Sequence, residues 1–248
     1  MKRLLTVAFV ALISLAQAQH QDTRKISKFS AISASAGIQV KFIKSSKNEV
    51  VVDVSREDIL PLIETKVQND ELNIRIKRGS NIRNAKSLKV TVYSSSIVDN
   101  ISLSSAASLE ILEAIDVNKF TVDLSSSGKL STGKVSAQTA NINLSSSGKM
   151  NGQLKTESLS IKASSSGEVK LSGVSKTLNV NVSSNGQAHL GDFQVADVVV
   201  NGSSGGKIKI NVSNSITANV SSGAEVEYSG NPKNKNVNKS SGGTVTQI

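Results

Sequence analysis

The feature that most constrains this chain is a short Ser/Gly stretch that returns at nearly constant spacing toward the C-terminus. It stands first as Ser125-Ser126-Ser127-Gly128 and recurs around Gly148, Gly167, Gly186, Gly205, Gly223 and Gly242, with a degenerate copy at Ser104-Ser105-Ala106-Ala107. From Ala107 through those glycines the steps are 21, 20, 19, 19, 19, 18 and 19 residues. A period of this kind marks a repeat architecture, in which each unit buries its apolar face only by stacking on its neighbours.

Between the copies the sequence alternates apolar and polar residues, the signature of half-buried strands. One strand precedes each Ser/Gly stretch, as in Phe120, Val122 and Leu124 or Leu178, Val180 and Val182. A shorter one follows it, as in Val169 and Leu171 or Ile208 and Ile210, and often ends at a second glycine such as Gly133, Gly152, Gly173, Gly191 or Gly230. Each repeat thus reads as two strands and two corners. An antiparallel meander and a parallel β-solenoid both fit. Stacking favours the solenoid, because only a coil sets each copy of a position over the last, about 4.8 Å away, and so gives one residue type a reason to recur. The expected fold is all-β, a parallel β-helix or β-solenoid with coils of about 19 residues. The glycines are expected at bends with positive φ, and the serines at local hydrogen bonds.

The rest of the chain divides around this array. Residues 1–18 read as a secretory signal: Lys2 and Arg3, an apolar run over 4–16, and Ala16-Gln17-Ala18 as a small-residue cleavage site. Residues 19–28 are polar and aperiodic, and a flexible mature N-terminus is expected. Residues 29–248 form a single all-β domain, with irregular β-rich coils over 29–96 and repeat coils over 97–243. Within the irregular part, Gln68-Asn69-Asp70-Glu71 reads as a hairpin connection between alternating segments. No stretch after the signal is long and apolar enough to span a bilayer.

The absence of cysteine removes disulfides, thiolate metal sites and the lipobox thiol, so no lipoprotein anchor is expected. The formal charge of +10 falls to +8 once Lys2 and Arg3 leave with the signal, which predicts attraction to anionic surfaces.

At this point the chain resembles the auto-transporter adhesin, head GIN domain family of exported bacterial proteins. The resemblance rests on the signal segment, on Phe29 and Ile32 followed by Gly37-Ile38-Gln39-Val40, on Thr65-Lys66-Val67 leading to Leu72 and Ile74, and on the Ser/Gly-cornered repeats. It implies an all-β stack of strands and an envelope or surface location, and it carries over no catalytic residues.

Sites for chemistry are sparse. The residue two after most corner glycines is apolar (Leu130, Met150, Val169, Ala188), so no ring of carboxylates for calcium forms there, and no metal or cofactor is expected. His189 and Asp192, three residues apart, are the best acid/base pair, and a solvated surface pair is the simpler account of them. No catalytic residue is assigned. Lys155, Lys162, Lys170, Lys207 and Lys209 should point outward and are candidates for a stripe that binds an anionic glycan. Asn141, Asn143, Asn179, Asn181, Asn211 and Asn219 are candidates for stacked amide ladders. Nucleic acid is not expected, since no aromatic platform interleaves the lysines.

The reading is an exported, non-enzymatic protein of the periplasm, outer-membrane surface or extracellular space, an adhesin for a repeated polar or anionic ligand such as a glycan. The alternative is a periplasmic scaffold or stress-response accessory protein that binds a protein partner. A carbohydrate-active enzyme is the least favoured reading.

Overall fold

The structure is a computed structural model that describes residues 20–83 and 87–248; the signal segment expected over 1–18 lies outside the described residues. The chain winds into a β-solenoid of about 7 turns, with parallel bridges about 20 residues apart. The full coils are made by β10 (Ile115–Leu124), β11 (Lys129–Leu144), β12 (Lys149–Ala163), β13 (Glu168–Val182), β14 (Gln187–Gly202) and β15 (Lys207–Val220). These pair in parallel, each with the next. β16 (Glu225–Ser229), β17 (Asn234–Lys239) and β18 (Thr244–Gln247) complete the far end, where β17 pairs with β15 and β18 with β16.

Coils such as that of β11 hold three straight segments, where the sequence pattern suggested two. In β11, Leu130 and Thr132 point inward, then Val135 and Ala137, then Ala140, Ile142 and Leu144. Alternation slips at Gly133-Lys134 and at Gln138-Thr139, where two successive side chains both avoid the core. The second slip has no glycine or proline to announce it. Inward hydroxyls serve it instead: Thr156 Oγ1 lies 3.0 Å from the Gln138 carbonyl oxygen and 3.2 Å from that of Ser158. Ser175 repeats the arrangement one coil on, donating to the Thr177 carbonyl at 2.7 Å. A buried hydroxyl is tolerated when it satisfies a carbonyl that the bend has taken out of the ladder.

The core is a set of stacked columns. Val122, Ile142, Ile161, Val180, Val200 and Ala218 lie in register from coil to coil and are all fully buried. Small branched residues suit this interior, because column neighbours sit only a strand spacing apart. Where a bulkier group enters, the neighbour shrinks: the column Leu154, Gly173, Phe193 places a glycine beside the buried phenylalanine.

The N-terminal part caps one end with mixed pairing. β2 (Ala31–Ala34) and β3 (Gln39–Lys44) form a first coil, parallel to β8 (Asn100–Leu103) and β9 (Ser108–Ile111). Outside it, β6 (Glu71–Ile76) and β7 (Leu88–Ser94) run parallel to that coil, whereas β4 (Glu49–Val54) and β5 (Ile63–Gln68) turn back antiparallel. The expected hairpin at 68–71 is present, with Asn69 and Asp70 at φ 51° and 63°, the two-residue turn that antiparallel strands favour.

Within the stretch 19–28, expected to be flexible, residues 20–25 form a strand. β1 (His20–Lys25) adds antiparallel to β4. Its anchor is Arg24, whose guanidinium donates to the Leu60 and Ile63 carbonyls, to Thr65 Oγ1 and to the Asp22 carboxylate. Beside the backbone ladder to β4, one polar residue with three acceptors outside its own strand holds a segment that has almost no apolar signal.

Candidate functional site

The Ser/Gly corner defines the geometry of the candidate site. It is a four-residue turn closed by a backbone bond from the fourth residue to the first, as from Gly128 N to the Ser125 carbonyl at 2.8 Å. Its two central residues are left-handed: Ser126 and Ser127 at φ 44° and 64°, Ser165 and Ser166 at 48° and 62°. Such residues cost about 1–2 kcal/mol each in the left-handed region. A second ladder offsets this, because the third residue of each turn donates to the carbonyl of the second residue in the next coil: Ser127 to Ser146, Ser147 to Ser165, Ser166 to Ser184, each at 2.9–3.1 Å. The corner is thus stacked through its backbone, and no hydrogen bond among the described residues uses the hydroxyls of Ser126, Ser127, Ser146 or Ser147.

This corrects the role expected of the corner glycines. Gly205, Gly223 and Gly242 are left-handed, at φ 72°, 70° and 75°. Gly128, Gly148, Gly167 and Gly186 are not; they occupy the fourth turn position, whose counterparts are Gly206, Ala224 and Gly243. There the reason for glycine is space: a Cβ on Gly128 would stand 2.4 Å from the Leu103 carbonyl oxygen, and one on Gly167 2.8 Å from that of Leu144. Ala224 at this position is matched by a glycine in the previous coil, Gly202, where an added Cβ would come 3.3 Å from that of Ala224.

Beside the corner runs a groove of about 680 Å³ along the rod. One wall is a column of asparagines, Asn181, Asn201, Asn219 and Asn238, with Lys162 above them. The other is the first serine of each turn, Ser164, Ser183, Ser203, Ser221 and Ser240. The amides are ordered in one direction: Asn238 Nδ2 donates to Asn219 Oδ1, Asn219 to Asn201 and Asn201 to Asn181, at 3.0, 3.1 and 2.9 Å. Each amide in the run therefore keeps one N–H and one lone pair for a ligand, presented at strand spacing of about 4.8 Å.

Of the asparagines singled out from sequence, Asn181 and Asn219 are in this ladder. Asn143 shares the column but donates to Asp123, and Asn179 accepts from Asn181. Asn141 and Asn211 lie in other columns. Asn201 and Asn238 were missed. The signal that finds them is their place two residues before a corner serine, shared with Asn181-Val182-Ser183 and Asn219-Val220-Ser221.

The five candidate lysines do not share a face. Lys170, Lys207 and Lys209 lie on the segment after the corner, where Lys207 and Lys209 pair with Glu225 and Glu227 at 3.4 and 3.7 Å. Lys155 is on the middle segment and Lys162 in the asparagine column. His189 contacts Gln187 at 3.1 Å and Glu168 at 3.9 Å, whereas Asp192 lies at the next bend, beside Lys170 and Ser172. The pair is not brought together. Among the described residues no cluster of three or more His, Cys, Asp or Glu is arranged to hold a metal ion, and no helix is long and apolar enough to cross a membrane.

Several solved structures share this fold. A putative adhesin from Parabacteroides distasonis ATCC 8503 aligns with a TM-score of 0.82 at 16% identity, over 94% of this chain and 98% of its own. A protein from the same strain, described as a putative lipid binding protein, aligns with a TM-score of 0.81 at 20% identity, over 93% and 96%. A putative adhesin from Bacteroides fragilis NCTC 9343 gives 0.69 at 19% identity, over 94% and 98%. No curated protein was found to match the sequence. The family described as "putative auto-transporter adhesin, head GIN domain" matches residues 28–232. The solved structures show the fold, and the family description supports a surface adhesin-like protein. With the solenoid, its stacked corners and a match over most of its length, the chain belongs to the auto-transporter adhesin, head GIN domain family.

Proposed function

We propose that the chain is an exported surface adhesin that holds a polyhydroxylated glycan along the rod, in the groove between the asparagine column and the corner serines. The observation that carries this reading is the one-directional amide run from Asn238 to Asn181, with each amide retaining one donor and one acceptor at constant spacing. Contacts of this kind are individually weak, and several in one line give avidity when the ligand is itself a repeat. The groove offers hydroxyls and amides with a lysine at each end, Lys162 and Lys239, so it suits a neutral or sparsely charged chain.

A glycan array probed with the mature protein tests the binding, with Asn201→Ala/Asn219→Ala as the comparison. Retention of glycan signal by that variant, at full strength, counts against the groove. Protease treatment of intact cells tests the address. Digestion without breaking the outer membrane is expected. Protection until it is broken would favour the periplasmic scaffold.

A further inference from the structure

The face formed by the segments after the corner carries a second, differently charged groove. Six rows line its length of about 24 Å at strand spacing: β7, β3, β9 and the first segments of β11, β12 and β13. Its volume is about 670 Å³, and Lys41, Lys89, Lys129, Lys149 and Lys170 line it against two glutamates, Glu110 and Glu168.

The two halves of this face differ in how completely their lysines are neutralised: in the groove Lys149 bonds Glu168 and Lys41 reaches Glu110 at 4.0 Å, which leaves Lys129 and Lys170 unpaired. In the C-terminal half, Lys207 and Lys209 stand directly over Glu225 and Glu227 and pair with them. In the groove, Lys129 stands over Lys149 on one side and Ser108 on the other, and Lys170 lies between Asn151 and His189. Neither Lys129 nor Lys170 forms an ion pair among the described residues. Like charges directly opposed across strands destabilise a sheet; Glu168 offsets the Lys149 charge from the far side, and an anion beside Lys129 would offset the other. Ser108, Ser131 and Asn151 lie beside those lysines and can bond hydroxyl groups.

We infer that this groove is a second binding site, specific for a linear glycan bearing carboxylates, with Lys129, Lys149 and Lys170 as its cationic contacts. The lining distinguishes this occupant from other polyanions. No aromatic side chain lines the groove to stack a nucleobase. Among the described residues the large exposed apolar side chains, Ile97, Leu112, Val174, Val199, Val237 and Ile248, all lie off it, so nothing there enters a lipid surface. A carboxylated sugar brings what remains, charges for the unpaired Lys129 and Lys170, a second acceptor for Lys149, and hydroxyls for the serines and amides between them.

The test uses oligogalacturonate as probe, its fully methyl-esterified form as the neutral counterpart, and a DNA oligonucleotide of equal charge. Two triple variants are compared: Lys129→Gln/Lys149→Gln/Lys170→Gln in the groove, and Lys119→Gln/Lys134→Gln/Lys155→Gln on other segments with the same loss of charge. Circular dichroism checks that both fold. The site predicts at least tenfold weaker oligogalacturonate binding for the groove variant, a change within twofold for the control, and no groove dependence for the ester. Equal weakening by both variants would reduce the effect to bulk charge and overturn the inference. So would the absence of oligogalacturonate binding, or DNA binding that is as tight and equally groove-dependent.

Discussion

Replacing Gly167 tests the corner most directly. Its φ is outside the left-handed region, so alanine is conformationally allowed, and by itself Gly→Ala would stabilise by about 0.4–1 kcal/mol through the unfolded chain. The obstacle is the neighbouring coil: the new Cβ would stand 2.8 Å from the Leu144 carbonyl oxygen and 2.9 Å from its carbonyl carbon and Cβ. Ordinary contact begins near 3.4 Å, so the coils must part by about 0.6 Å at a point where backbone bonds hold them. Overpacking of this kind costs about 1–3 kcal/mol. The net loss for Gly167→Ala is then about 1–2 kcal/mol, a fall in Tm of about 2–8 °C for a chain of this size. Asparagine separates the two explanations of the glycine. It tolerates left-handed backbone, so Gly223→Asn, at φ 70° with nothing within 4 Å of its Cβ, should stay within about 1 kcal/mol of the parent. Gly167→Asn should be worse than Gly167→Ala. Thermal unfolding followed by circular dichroism measures all three. If Gly167→Asn proves as mild as Gly223→Asn, the steric account is wrong.

Phe193 is fully buried beside Gly173, and Phe193→Ala is expected to cost about 3–5 kcal/mol, read as a lowered denaturation midpoint. Arg24→Ala should release β1 alone: hydrogen exchange at residues 20–25 should accelerate strongly while β11 to β15 keep their protection, and uniform loss of protection would refute a local anchor. The Lys149 ammonium bonded to the Glu168 carboxylate, helped by the nearby charges of Lys149, His189 and Lys170, holds that carboxyl below its ordinary value of 4.5. A depressed carboxyl stabilises the fold above its unfolded pKa and loses that contribution as pH falls through the folded one. The Tm advantage of the parent over Glu168→Gln should therefore be present at pH 6 and shrink in acid below about pH 4.5. An advantage that grows on acidification would refute the sign.

Much of the fold is legible in the residues. Val180 and Val182 before Ser183, and the wider alternation around every corner, could only be strands. The constant period could only be economical in a stack. The bend at Gln138-Thr139 was not legible, because inward hydroxyls stabilise it and no glycine or proline marks it. β1 was not legible either, since one arginine holds it and polar residues compose it. Half of the amide ladder was visible as outward asparagines. Its continuity through Asn201 and Asn238 emerges once the coils are in register.

By itself the sequence determined which side chains face in and which face out, because a two-residue alternation is a local property of extended backbone. It also determined that one corner type recurs, and that thiol chemistry is absent. Only the tertiary structure decided which outward residues are neighbours. Coil lengths vary and bulges shift the register between Ser131 and Lys134, Lys170 and Gly173, and Leu190 and Gln194. A count along the chain therefore loses the column. That is why Gly205 aligns with Ser127 and not with Gly128; Lys155 and Lys162 part from Lys170 because they stand on other segments of the coil.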